Sequence, residues 1–262
     1  INWSLPDELS RDPLFGAPDN DFSCRSESHP NPVVMLHGLS LSRHIFLSQL
    51  QHKLNNAGYC TYSFTYGAHR IPSWVGGVRA MRDTAVEIAD FIREVKEKTG
   101  AAKVDLIGHS EGGVQAIYVP MTQPGIADIV DHNIALGPAI HGAQYYGVTD
   151  LFYAGGEATR RLASLALRVL GCPACDDMAT GGNIFSDFKN AERIVQPGNK
   201  ATIIVSTFDT LVAPEVSMIQ EVGVRNLIVQ DICPDDKVGH GGLATDQTVW
   251  DMIINELEET PD

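Results

Sequence analysis

Short, wholly apolar runs alternate along this chain with longer stretches whose apolar residues recur every three or four positions. Val33-Val34-Met35-Leu36 is the first such run, as expected of a strand buried on both faces of a parallel sheet. A helical stretch follows near Ile45–Leu54 and ends at Ala57-Gly58, where the glycine suits a helix stop. Tyr59–Tyr66, rich in aromatic residues and threonine, reads as a second strand. The clearest helix spans about Gly77 to Thr99. Val78, Met81, Ala85, Ile88, Ile92 and Val95 draw one apolar stripe along it, and Gly100 closes it. Val104-Asp105-Leu106-Ile107 gives a strand, and Ser110–Val119 a helix stopped by Pro120. Ile129–Leu136, Thr202–Ser206 and Asn226–Gln230 read as further strands, and Gln247–Leu257 as a closing helix. Strands alternating with helices at this spacing predict an α/β fold, with a mostly parallel sheet flanked by helices.

Two segments depart from that rhythm. Residues 1–31 carry Pro6, Pro13, Pro18 and Pro30, with Pro32 just beyond, and read as an irregular N-terminal arm. Residues 141–196 show no good strand, only a helical patch at Glu157–Leu170. A stretch that long inside an α/β domain is expected to be a helical cap or lid over a site, or else a helix covering the sheet. Residues 1–262 are expected to form a single domain. With 33 acidic against 19 basic residues the formal charge is −14, which argues against a nucleic-acid partner and against tight docking on anionic lipid. No run approaches the roughly 18–20 apolar residues that span a bilayer, so no stable membrane insertion is expected.

Gly108-His109-Ser110-Glu111-Gly112 is the most informative segment. It is a G-x-S-x-G placed directly after an apolar strand and before a helix, the setting of a nucleophile elbow. There the serine oxygen stands clear of the sheet and the helix N–H groups lie beneath any anion formed. A serine hydroxyl needs a base, and the base an oriented carboxylate. On such a scaffold the chain order is serine, acid, histidine. Asp209 follows the strand Thr202–Ser206 and is the expected acid, whereas Asp176, Asp177, Asp235 and Asp236 follow no clear strand. Of nine histidines only His240 comes after both, between glycines that would let its ring reach Ser110. The oxyanion donors are expected to be the backbone N–H groups of Glu111 and of Leu39, in the loop after the first strand.

Five cysteines leave at least one free or paired between molecules. Cys172 and Cys175 make half of a zinc ribbon at most. Disulfides joining Cys24 to Cys60 and Cys172 to Cys175 are the preferred reading, although spacing alone does not fix the pairing. The first residue is Ile1, as after removal of a signal peptide or a trimmed start, and secretion is the expected compartment.

Five segments together resemble the secreted bacterial class 2 lipases, and more distantly the fungal lipase B type: Asn31–Gly38, Gly58-Tyr59-Cys60, Val104–Gly113, Thr207–Pro214 and Gln230–Pro234. The likeness runs in order over about residues 22–258. It implies an α/β-hydrolase acting on a small-molecule or lipid ester, without metal or cofactor and with transient lipid-surface contact at most. Ser110 would be its nucleophile, Asp209 its acid and His240 its base, with Leu39 and Glu111 as oxyanion donors. Polyester or thioester hydrolysis, acyl transfer on the same triad, and a silent scaffold used for binding are the alternatives. Two positions depart from the pattern. Many relatives carry Gln where this chain has Glu111, whose carboxylate would raise the pKa of His240 or disfavour acidic substrates. The fungal type carries a donor Thr where this chain has Leu39.

Overall fold

The strands are β1 (Val33–Leu36), β2 (Thr61–Ser63), β3 (Val104–His109), β4 (Val130–Leu136), β5 (Lys200–Val205) and β6 (Val224–Ile228); β1 is a wholly apolar run buried on both faces, while β6 at the edge is only partly buried. The computed structural model describes residues 16–142, 165, 168–179 and 181–259. In it the six strands form a parallel sheet of order β2-β1-β3-β4-β5-β6. The helices are α1 (Leu47–Asn56), α2 (Met81–Thr99), α3 (Glu111–Thr122), α4 (Pro173–Asp177), α5 (Asn183–Asn190), α6 (Pro214–Ser217), α7 (Val229–Ile232) and α8 (Gln247–Glu258), with a 3-10 turn at Gly242–Ala244.

Alternation along the strands builds two cores. Val34, Leu36, Leu106 and Ile203 face α2, α3 and α5, and the α2 stripe of Met81, Ala85, Ile88, Ile92 and Val95 is wholly buried there. Val33, Met35, Ile107, Ile134 and Ile204 face the other way, onto Leu47, Leu50 and Leu54 of α1 and Val249, Met252 and Ile253 of α8. From β2, at one edge, the chain steps back past β1 to β3 and then proceeds outward in sequence. The reversal opens a crevice at the carboxyl ends of β1 and β3, where ligands gather in sheets of this kind.

Several boundaries differ from the sequence reading. Pro120 does not stop α3, which runs on to Thr122. It sits close enough to the end that only one helical bond is lost, and Gln123 N–H still reaches the Val119 carbonyl at 2.9 Å. The second strand shrinks to three residues because its flanks bond elsewhere. Tyr59 donates to the Leu54 carbonyl at the end of α1, and the Tyr66 carbonyl accepts from Gly77. Helix α2 starts at Met81 rather than near Gly77, and its first N–H is taken by Asp177 Oδ2 at 2.9 Å, a cap supplied from far along the chain. The last strand lies at Val224–Ile228 and turns at once into α7, two residues ahead of the expected Asn226–Gln230.

The described part of the arm is irregular, and it covers the β2 edge. The Asn20 side chain donates to the Ser63 carbonyl and accepts from the Ser63 N–H, both at 2.9 Å. Cys24 is disulfide-bonded to Cys60 beside it. Within 141–196 the described residues hold α4, α5 and the Cys172–Cys175 disulfide. The helical patch predicted at Glu157–Leu170 lies mostly outside the described residues.

Candidate active site

The turn between β3 and α3 is tight enough to dictate its glycines. A Cβ at Gly108 would lie 2.0 Å from the Gly112 carbonyl oxygen, and one at Gly112 would lie 2.1 Å from that of Leu36. Ser110, between them, is held at φ 56° and ψ −118°, a left-handed backbone that a serine adopts only under constraint. Its hydroxyl stands above the carboxyl end of β3 in the crevice left by the strand reversal.

Ser110, His240 and Asp209 are brought together there from three loops. His240 Nε2 lies 2.8 Å from Ser110 Oγ, and its Nδ1 lies 2.6 Å from Asp209 Oδ2. The other carboxylate oxygen of Asp209 accepts from the N–H groups of Leu211 and Val212, both at 2.8 Å, so the acid is fixed from two sides. His240 sits past the end of α7, in a glycine-rich loop that Ser206 anchors by donating to the Val238 carbonyl at 2.6 Å. Asp176 and Asp177 lie in α4, and Asp235 and Asp236 follow α7, none of them bonded to His240.

Leu39 lines the cavity around Ser110, on the turn closed by the 3.2 Å bond from Leu41 N–H to the Gly38 carbonyl. The Tyr66 hydroxyl steadies that loop by donating to the His37 carbonyl at 2.6 Å, with its ring stacked on the imidazole at 4.3 Å. Burial holds His37 neutral, with its pKa lowered to about 4. Glu111 is the first residue of α3, so its N–H has no partner within the helix and faces the elbow.

The Glu111 side chain turns away from the cavity, contrary to the expectation of a carboxylate beside His240. It is fully buried against Gly77, where a Cβ would lie 2.2 Å from Oε2. Neither oxygen has a hydrogen-bond partner among the described residues. Burial drives its pKa well above the usual carboxyl range, and the nearby charge of Asp177 adds to the rise.

Sequence reading did not assign His109 a role. Its ring lies 5.1 Å from that of His240, and its Nε2 is 2.8 Å from the His240 carbonyl oxygen, which ties the histidine loop to the residue before the nucleophile. Burial lowers its pKa to about 4, with the neighbouring His240 acting in the same direction. The imidazole is then neutral, and its Nε2–H donates. The cavity holds about 290 Å³, lined by apolar Leu39, Leu41, Phe46, Ala139, Met178, Leu211 and Val212 around Ser110 and His240, with no carboxylate or cationic side chain among the described residues that line it.

A family model described as Lipase (class 2) matches residues 30–249, most of the chain and all three loops that meet at Ser110. The chain belongs to the class 2 lipases. As a member it is a carboxylic ester hydrolase with the α/β-hydrolase fold. Solved structures agree on that fold. Aspergillus fumigatus lipase B is 16% identical with a TM-score of 0.68, covering 98% of this chain, which spans only 58% of that enzyme. The mature form of Bacillus licheniformis lipase BlEst2 is 16% identical at a TM-score of 0.64, covering 89% of this chain and 94% of its own. A soluble variant of Saccharomyces cerevisiae monoglyceride lipase, solved with a substrate analogue, is 15% identical at 0.64, covering 94% and 91%. No curated protein sequence matches the chain.

Proposed function

We propose that this class 2 lipase hydrolyses acyl esters, acylglycerols among them, through an acyl-enzyme formed on Ser110. The observation that carries the reading is the unbroken chain from Ser110 Oγ through His240 to Asp209, with bonds of 2.8 and 2.6 Å. His240 Nε2 takes the hydroxyl proton as Ser110 Oγ attacks the ester carbonyl, and Asp209 stabilises the imidazolium through Nδ1. The carbonyl oxygen becomes an anion facing the N–H groups of Leu39 and Glu111. Each such donor is worth about 3–4 kcal/mol in the transition state of comparable enzymes. Collapse breaks the C–O bond and the leaving alcohol takes the proton from His240. Water, deprotonated by the same imidazole, then attacks the acyl-enzyme and releases the acid.

The apolar residues described around the cavity and a formal charge of −14 favour neutral esters over acidic ones. Half-exposed Phe208 and Leu211, on the loop that carries Asp209, would support transient contact with a lipid surface. Among the described residues no helix is long and apolar enough to cross a membrane. Two disulfides support a secreted enzyme. Residues 1–262 would act as one domain, with 141–196 as its cap.

Ser110→Ala tests the reading. It should abolish hydrolysis of p-nitrophenyl butyrate with circular dichroism unchanged, and a fluorophosphonate should label the wild type at Ser110 alone. Full activity in the folded variant would overturn it.

A further inference from the structure

One strained residue stands at the mouth of the cavity. Phe46 has φ 64° and ψ −72°, and the N–H of Leu47 bonds to the Ile45 carbonyl across it at 2.9 Å. Those angles and that bond define a γ-turn of the rare, strained hand. The residue also occupies the N-terminal cap of α1, where a short polar side chain would satisfy free N–H groups and a glycine would relieve the backbone. Phenylalanine does neither. What the turn achieves is placement: the ring lines the Ser110 cavity while remaining 37% exposed.

The ring also lies on a particular side of the site. It meets His109 edge-on at 6.4 Å, and its Cζ is 3.9 Å from where a Cβ on Gly241 would be. It therefore borders the loop that carries His240. Because His240 Nε2 hands its proton to the departing oxygen, the alcohol half of an ester must lie on the imidazole side. Ala139, Met178 and Val212 come from other loops and leave the rest of the apolar wall to the acyl chain.

We infer that Phe46 is a specificity-determining residue that limits the bulk of the alcohol half of the substrate, held at the cavity mouth by the strained turn. The γ-turn sets the direction in which the Phe46 side chain leaves the backbone, toward the cavity mouth. Branched and secondary alcohol esters are then poorer substrates than primary ones, with acyl length selected elsewhere. This rests on the ester-hydrolase reading.

Two series of esters test it. One holds the acyl group as butyrate and varies the alcohol from ethyl through isopropyl to cyclohexyl. The other holds p-nitrophenol and varies the acyl chain. Phe46→Ala should raise the ratio of kcat/KM for secondary over primary alcohol esters about tenfold or more, and Phe46→Trp should lower it, the scale at which apolar pockets discriminate. The acyl-length profile should keep its shape in both. A purely structural role would lower every rate together and leave the ratio unmoved, as would a ring that touches no substrate. Either result in the folded variants overturns the inference, as does a shift in the acyl profile instead of the alcohol ratio. A wild type that hydrolyses none of these esters would overturn the underlying hydrolase reading instead, so the two failures are distinct.

Discussion

Glu111→Gln makes the sharpest test of the electrostatics beneath the nucleophile. The glutamate is fully buried, has no hydrogen-bond partner among the described residues, and titrates well above its ordinary value of 4.5 because burial disfavours its charged form. Asp177 and Tyr66 are the titratable groups that interact with it. Asp177 adds negative charge, and Tyr66 is itself pushed well up by burial with Glu111 contributing. Between the unfolded and folded pKa values the native state holds one proton that the unfolded chain has lost. Stability therefore falls as pH rises, by about 1.4 kcal/mol per unit. The contribution is intact below the unfolded pKa and declines from there until the folded pKa has been passed. Gln has the same shape and cannot ionise. It carries a constant penalty for its own unpaired amide and loses this slope. Urea unfolding across a series of pH values upward from 4.5 should then show the wild type losing stability relative to the variant as pH rises. Asp105, raised to about 7 by burial, contributes to both proteins alike and cancels. Parallel stability curves would refute the claim that burial raises the Glu111 pKa in the fold.

Asp209→Asn should lower kcat about 10⁴-fold with little change in melting temperature, as the amide stabilises the wrong imidazole tautomer; steady-state kinetics on p-nitrophenyl butyrate checks it. The two disulfides close loops of very different size, with separations of 36 and 3 residues. By chain entropy, replacing Cys24 and Cys60 with serine should cost about 3.8 kcal/mol, and replacing Cys172 and Cys175 about 1.6, read by urea denaturation of each double variant.

The centre of the sheet was legible because strands buried on both faces leave mostly apolar runs, as in β1 and β5, and α2 because its stripe keeps one period over five turns. Ser110, Asp209 and His240 could be placed by chain order once the elbow marked the first. What stayed hidden depends on contacts across long separations. Asp177 caps α2 from 96 positions away, and nothing near Met81 announces it. Nor does the sequence around Glu111 disclose that its side chain turns inward, since that follows from the space left by Gly77. The γ-turn at Phe46 was equally invisible, because phenylalanine is a residue from which positive φ is not expected. Pro120 misled in the opposite sense: its penalty is real, yet at the last turn it removes a single bond.

Asn20 lends the outermost strand something that backbone pairing normally supplies. Its amide satisfies both main-chain groups of Ser63, so this stretch of the sheet's rim is closed to pairing by another molecule. Four residues on, the bond between Cys24 and Cys60 keeps that segment from drifting off. Severing the bond would therefore endanger the protein first in company rather than alone. Before the core melted, the bared rim would offer itself to its neighbours, and turbidity that grows with concentration would be the earliest symptom of a reducing solution.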